Sequence, residues 1–573
     1  MSQEPGIDFI TMVHALVHPQ AFPFALANKD EVTTVQTHAS VVLLTPSLVY
    51  KLKKPQNFGF FDYSTPQQRH HFCRQEVILN RRLAPDVYLG VAPVLMDQQG
   101  RFRFAETQSA EAVPAPGTPI GPETVVDFAV VMRRLADTDM LKHLVQTDNV
   151  NPTLLSAIAR FVAHFHTTTY TDEHIASFGA MNVVGGNWEE NFEQMHPYIG
   201  RTLDANTYEQ VSGYIRNFMN KRASFFAARV REQRIRDCHG DLRLDHIYVL
   251  NRQEYTQTPQ IAILDCIEFN DRFRYGDVAG EIAFLIMELD GISRNDLSRN
   301  FLDAYIEATE DTALREILPF YLSYRACVRG KVSSFQIDEP EVPAPQRQRM
   351  QHAATELFAQ AAYYARGPVQ PVVMLIGGLM GTGKSTLAAR LHHELGWALL
   401  SSDVTRKRLA QRLPAQPLEH AFGQGLYTAE WNEYTYAALR EEMNSALAGG
   451  RSVLLDASFI RRADRQAIER EALAHGARVY FVECASPPEI TLQRLAQRWR
   501  QRTREGEQKP ATSQASDGRP DLYAQQRARR ESFDAHEEAG VQHVLLPTTQ
   551  AVVRQVEQIL DLLDLPRLAC PLT

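Results

Sequence analysis

Cysteine is scarce in this chain: there are six among 573 residues, Cys73, Cys238, Cys266, Cys327, Cys484 and Cys570, far apart and with no CxxC pair. That spacing suggests neither a disulfide framework nor a zinc site, and it fits a reducing compartment. Long apolar runs are missing too. The longest, such as Val372 to Gly378 and Ile282 to Met287, fall well short of the roughly 20 residues that span a bilayer. An excess of positive charge is absent: the formal net charge of −8 argues against a protein whose main partner is nucleic acid or an anionic membrane. The opening MSQEPGIDFITMVHALVHPQ lacks the basic start and unbroken apolar run of an export signal, so a cytoplasmic location is expected.

What is present is the composition of a soluble globular protein, long enough for two to four domains. VVLLTPSLVYKLKKP (Val41 to Pro55) reads as two strands around a Thr-Pro-Ser turn. A helix follows in QQRHHFCRQEVILNRRLAP, with Phe72, Val77 or Ile78, and Leu83 near helical spacing and Pro85 as the stop. VVDFAVVMRRL (Val125 to Leu135) is another strand, and a mostly helical region comes after it. The proline-rich DEPEVPAPQRQRM reads as a linker or loop before one more helix, and GPVQP marks a boundary. From Val372, strands VVMLIGG, WALLSSD, SVLLDASF and RVYFVEC alternate with helices, which predicts a parallel sheet covered on both faces. EGEQKPATSQASDGRP (505–520), the one low-complexity stretch, reads as a mobile loop.

GGLMGTGKST (Gly377 to Thr386) contains G-x-x-x-x-G-K-S directly after an apolar strand and before a helix. In that setting the amides of Gly378, Gly381, Thr382 and Gly383, with the helix start at Thr386, cradle phosphates. Lys384 reaches the terminal phosphates and the Ser385 hydroxyl ligates Mg²⁺. SSDVTRKRL places Asp403 at the end of the next strand, where it can accept a proton from an attacking hydroxyl or serve as a helix cap. Arg406 would hold an anionic part of the acceptor. Asp456, ending LLD, would orient Mg²⁺ or the acceptor, or cap a helix. In TLQRLAQRWRQRTR, Arg494 and Arg498 share a helix face suited to clamping phosphates as a lid; a solvated basic face and a nucleic-acid patch are the other readings. These features resemble the small P-loop kinases related to polynucleotide kinase, chloramphenicol phosphotransferase and zeta toxins. The resemblance implies that Asp403 is the general base and leaves the acceptor open.

CHGDLRLDHIYVL (Cys238 to Leu250) and ILDCIEFND offer two carboxylates in order, Asp241 for the acceptor's proton and Asp265 for metal on the ATP phosphates. Lys51 in LVYKLKK, with Lys53 as the alternative on the same side of the strand, and Glu76 in CRQEVILN would form a phosphate anchor. Together they resemble the aminoglycoside phosphotransferase family, a branch of the protein-kinase-like fold. The resemblance implies adenine binding near Met132 to Arg134. Two departures stand out. No G-x-G-x-x-G precedes Lys51, so phosphate cover must come from another segment, such as the turn around THASVVLL. And His246 stands where the family has a metal-ligating Asn; a neutral imidazole is a poorer Mg²⁺ ligand than an amide oxygen, and Asp245 could substitute only if the loop shifts.

The tandem arrangement resembles a bacterial family of predicted bifunctional kinases. It implies a protein-kinase-like α+β bilobal domain over 1–345 (small lobe about 1–132, large lobe about 133–345), a linker over 346–370, and an α/β P-loop domain with a parallel sheet over 371–573. The expected activity is Mg-ATP-dependent transfer of phosphate to hydroxyl groups of small-molecule acceptors. At His246 the open outcomes are one firmly held metal, a preference for Mn²⁺, or a nucleotide-binding pseudokinase; the presence of both Asp241 and Asp265 favours a live site. A regulatory protein with a sensing N-terminal module and a nucleic-acid end kinase are the rival readings.

Overall fold

The computed structural model describes residues 8–26, 32–59, 61–250, 259–292, 294–339, 342–366, 371–410, 425–448, 451–505 and 519–563, with the backbone alone for 501–505. The chain divides into two compact units: residues 1–288 with 300–361, and residues 289–299 with 362–573.

In the first unit a helix, α1 (Phe9–Leu16), precedes an antiparallel sheet of β1 (Thr33–Gln36), β2 (Ser40–Leu44), β3 (Leu48–Lys53), β4 (Tyr88–Met96), β5 (Phe102–Phe104) and β6 (Glu123–Arg133). The order is β1-β2-β3-β6-β4-β5, with a two-residue strand, Pro119–Ile120, also on β6. Helix α2 (Pro66–Asn80) starts at a Thr65–Gln68 capping box. β6 is buried on both faces, and its side chains sort with period two. Ala129 and Val131 join Met12, Leu16, Tyr50 and Leu52 in the α1 layer. Phe128, Val130 and Met132 join Cys73 and Val77 in the α2 layer. The same alternation sends Lys51 and Lys53 toward α2, because Tyr50 and Leu52 occupy the other face.

The helix read from the sequence is present, with a different inner face. Cys73, Glu76, Val77 and Asn80 are buried, Ile78 is 39% exposed, and the helix stops before Leu83. Turning Glu76 inward toward the two lysines sets that rotation. Farther on come the helices Pro152–Thr168, Met181–Met195 and Ala205–Lys221, and the antiparallel strand pairs Ile235–Asp237 with Tyr275–Asp277 and Ile247–Leu250 with Gln260–Ile263. Helices Val278–Gly291, Leu314–Ile337 and Ala344–Tyr364 follow.

Among the described residues the second unit carries five parallel strands: β7 (Val372–Gly377), β8 (Ala398–Ser401), β9 (Val453–Asp456), β10 (Arg478–Ala485) and β11 (Val541–Pro547), in the order β8-β9-β7-β10-β11. All six residues of β7 are buried. Val372, Met374 and Ile376 pack with Leu387, Leu391, Val556 and Ile559, while Val373 and Leu375 pack with Met443, Ile468 and Ala472. Each such side chain contributes roughly 1.5–3 kcal/mol of burial. β11 was not anticipated from the sequence; Gln542 and His543 interrupt its apolar run. Residues 506–518 of the low-complexity stretch 505–520 and residues 367–370 of GPVQP lie outside the described residues; Glu505 ends one helix and Pro520 begins another, so the ends of that stretch are helical and not loop.

Candidate functional site

Two constellations form, one in each unit. In the first, β3 presents Lys51 and Lys53 to the wholly buried carboxylate of Glu76, at 2.8 and 2.6 Å. Lys51 also lies 2.7 Å from Asp265 Oδ1. Lys53 is ion-paired with Glu268, whose Oε1 accepts the Tyr63 hydroxyl at 2.7 Å, and sits 4.7 Å over the Tyr63 ring. The sequence offered Lys51 with Lys53 as its alternative; the structure employs both, each with an acid of its own on the 265–268 loop. Burial pushes Glu76 upward, but the two ammonium groups outweigh it and hold the carboxyl below its usual range. Asp265 is lowered chiefly by Lys51.

Asp265 sits in the left-handed region, φ +64°, with its amide donated to the Tyr88 hydroxyl at 3.2 Å. A non-glycine residue held there by its surroundings is a common mark of a functional position. The neighbouring amide of Cys266 donates to Asn80 on α2 at 2.9 Å.

The HGD loop is gripped from helix Val278–Gly291. Glu281 Oε2 accepts the Gly240 amide at 2.9 Å, and Glu288 accepts the Leu244 amide and Arg243 Nε, both at 2.8 Å. Gly240, at φ +91°, has no room for a side chain, since a Cβ would meet Phe273 O at 3.0 Å and Ile267 Cδ1 at 2.9 Å. His239 donates Nε2–H to Leu264 O at 2.9 Å, and burial lowers its ring to about 3, so it is neutral. Burial raises Glu281 to about 7.

Asp241 lies beside His246: the ring Nδ1 is 2.9 Å from Asp241 O and 3.5 Å from Asp241 Oδ2, while Nε2 faces Asp265 Oδ2 at 3.9 Å. Asp245 is engaged elsewhere, by Lys142 at 3.0 Å and Arg243 at 3.2 Å, so it does not substitute for the missing Asn in this structure. Met132 is buried, and the ladder runs past it through the amides of Arg133 and Arg134, bonded to Val87 O and Ser47 O. The turn around THASVVLL is the β1–β2 hairpin tip, braced by Lys54 on Thr37 O at 2.6 Å.

In the second unit, β7 runs into Gly378 (φ +123°), Gly381 (φ +78°) and Gly383 (φ +96°), and helix α3 (Lys384–Leu395) opens directly after. A Cβ on Gly378 would stand 2.5 Å from Cys484 O. Thr382 donates to Leu379 O at 2.8 Å, and Lys384 Nζ donates to the same carbonyl at 2.9 Å. Ser385 hydrogen-bonds Asp456, which burial raises; Ser401 reaches Asp456 at 3.5 Å. Ser385 and Thr386 are exposed at the helix start.

Burial lowers Lys384, and its electrostatic neighbours include Asp456, Cys484, Asp403 and Arg498. Asp403 is not on the strand: β8 ends at Ser401, and Asp403 belongs to the first turn of helix Ser402–Leu409. The cap position falls to Ser401, which excludes Asp403 as the N-cap residue. Arg406 is buried, donates to Leu426 O at 2.9 Å and lies 4.8 Å over the Tyr427 ring. Arg494, on helix Pro488–Glu505, donates to Thr548 O at 2.7 Å, with Nη1 3.9 Å from where a Gly383 Cβ would stand.

The first site brings together Lys51, Lys53, Glu76, Asp265, His246 and Asp241, and the second Lys384, Ser385, Asp456, Asp403 and Arg498, while Arg406 is held by Leu426 O and the Tyr427 ring and Met132 lies buried in β6. Glu268, Glu281 and Glu288 were missed; two lysines on one buried strand face were the available signal that a second acid was required. Residues 82–320 match the phosphotransferase enzyme family, and residues 372–517 match an AAA domain family. Uncharacterized proteins of Mycobacterium tuberculosis and Mycobacterium bovis are 30% identical over 466 residues, covering 81% of this chain and 85% of theirs. The chain belongs to their family, an aminoglycoside phosphotransferase-like domain followed by a P-loop kinase-like domain. Solved structures of a sugar kinase from Janibacter sp. HTCC2649 and a shikimate kinase from Bacteroides thetaiotaomicron are 23% and 15% identical to it. They cover 36% and 34% of this chain and all of their own, with TM-scores of 0.25 and 0.23. Among the described residues no helix is long and apolar enough to cross a membrane.

Proposed function

We propose that this is a cytoplasmic ATP-dependent phosphotransferase with two active modules, about 1–345 and 371–573, each phosphorylating a hydroxyl of a small molecule. The observation that supports the reading is that each of two separate sites brings a lysine near carboxylates, Lys51 with Asp265 and, across His246, Asp241, and Lys384 with Asp456 and Asp403.

In the N-terminal module Asp241 receives the proton of the acceptor hydroxyl as its oxygen bonds to the terminal phosphorus and the bond to the ADP oxygen breaks. Lys51, held by Glu76, neutralises the phosphates. In the P-loop module Asp403 takes the proton, Lys384 with Arg498 stabilises the transferring group, Arg494 helps hold the bound nucleotide, and Arg406 shapes the acceptor side. A divalent ion supplies charge neutralisation on the phosphates; Asp265 with His246, and Ser385 with Asp456, are the groups fitted to hold it, Mg²⁺ at the P-loop and Mg²⁺ or Mn²⁺ at the N-terminal site.

The test is transfer of labelled terminal phosphate from ATP into a metabolite extract by wild type, Asp241→Ala and Lys384→Ala. Loss of a different product in each variant supports two kinases. Loss in Lys384→Ala alone would reduce the N-terminal module to a sensor.

A further inference from the structure

We infer that His246 is a metal ligand through Nε2, and that the N-terminal site consequently takes a first-row transition ion such as Mn²⁺ in preference to Mg²⁺. This rests on the reading of that site as one for a metal-bound nucleotide.

Ring chemistry carries the inference. Nδ1 of His246 faces only acceptors, Asp241 O at 2.9 Å and Asp241 Oδ2 at 3.5 Å. A carbonyl oxygen cannot donate, so Nδ1 carries a hydrogen, and in the neutral ring the Nε2 lone pair is the one open to a cation. That lone pair stands 3.9 Å from Asp265 Oδ2, while the other oxygen of Asp265 is taken by Lys51 at 2.7 Å. One nitrogen and one carboxylate oxygen thus face each other across a gap beside the proton-accepting Asp241. Anchoring of the remote ring N–H on a carbonyl is the arrangement that fixes tautomer and orientation in metal-binding histidines.

The loop supports the ring on both sides. The His246 amide donates to Arg243 O at 3.1 Å and its carbonyl accepts from Leu264 N at 2.9 Å, one residue before Asp265. The imidazole and the carboxylate are therefore set by adjoining backbone bonds. Mg²⁺ holds to oxygen donors and rigid octahedra; replacing an oxygen with an imidazole nitrogen moves preference toward softer divalent ions.

The test uses the full chain carrying Lys384→Ala, so that the P-loop is emptied, with histidine labelled with nitrogen-15 in the ring. Mn²⁺ and a non-hydrolysable ATP analogue are added, and pulsed electron paramagnetic resonance is recorded. We expect nitrogen-15 coupling to the ion that disappears in His246→Asn and His246→Gln. The Mn²⁺-over-Mg²⁺ binding preference should fall about tenfold or more in His246→Asn. Bound Mn²⁺ and nucleotide without histidine coupling overturns the assignment and leaves the kinase reading standing. Failure of metal and nucleotide to bind at all overturns both.

Discussion

Lys51 Nζ is 2.7 Å from Asp265 Oδ1, and the same ammonium lies 2.8 Å from Glu76, so one charge joins strand, helix and loop. Lys53 repeats the connection two residues on, fully buried between Glu76 and Glu268. Removal of Lys53 leaves the buried Glu268 without its counter-charge and Glu76 with Lys51 alone. Lys53→Met should therefore cost about 3–5 kcal/mol, read from urea unfolding. Lys51→Met should cost less, because the acid it leaves unpaired, Asp265, is half exposed whereas Glu268 is buried, yet should abolish nucleotide binding at the N-terminal site in calorimetry. Equal stability losses would contradict this division.

Glu281 gives a pH dependence of defined sign. Its carboxyl is raised from 4.5 to about 7 by burial, so between those values the folded chain holds a proton that the unfolded chain has released. Stability from this group is greatest below pH 4.5 and is lost as pH rises toward 7. At about 1.4 kcal/mol per pKa unit the ceiling is roughly 3 kcal/mol. Glu281→Gln keeps an acceptor for the Gly240 amide and should flatten that slope in urea midpoints measured from pH 5 to 8. An unchanged slope would refute the assignment.

At the P-loop, Gly378→Ala places a Cβ 2.5 Å from a backbone carbonyl at φ +123°. Relief requires the strand end itself to move. Nucleotide binding by the second unit should be lost, while any product dependent on Asp241 persists in the labelled-phosphate assay.

The two lid arginines should separate kinetically. Arg498 is an electrostatic neighbour of Lys384, so Arg498→Ala should lower kcat by about 100-fold with little change in KM for ATP. Arg494 is tied to Thr548 at the end of β11, so Arg494→Ala should act mainly on KM. Steady-state kinetics on the P-loop product decides between this and a shared role.

The parts of both sites that were legible in the sequence are those encoded locally. The P-loop announces itself by glycine spacing after an apolar strand, and Lys51 and Asp265 by strand and turn. Glu281 and Glu288 carry no local pattern; their role appears only when a helix some forty residues downstream lies against the HGD loop. Asp403 was misplaced by two residues because Ser402 already begins a helix where the sequence still reads as strand. β11 was missed because it alternates only weakly, with Gln542 and Leu545 exposed and Leu546 buried.

Glu281 and Glu288 stand seven residues apart on one helix, about 10.5 Å at 1.5 Å per residue and close to two full turns, so their carboxylates project from nearly the same side. The helix is thus a ruler laid against the HGD loop, with one mark at Gly240 and another at Leu244. A single residue inserted between the marks would turn the second by about 100° and unhook it. Length between those two glutamates is therefore held as tightly as any side chain in the site, since the two hydrogen bonds at Gly240 and Leu244 both depend on it.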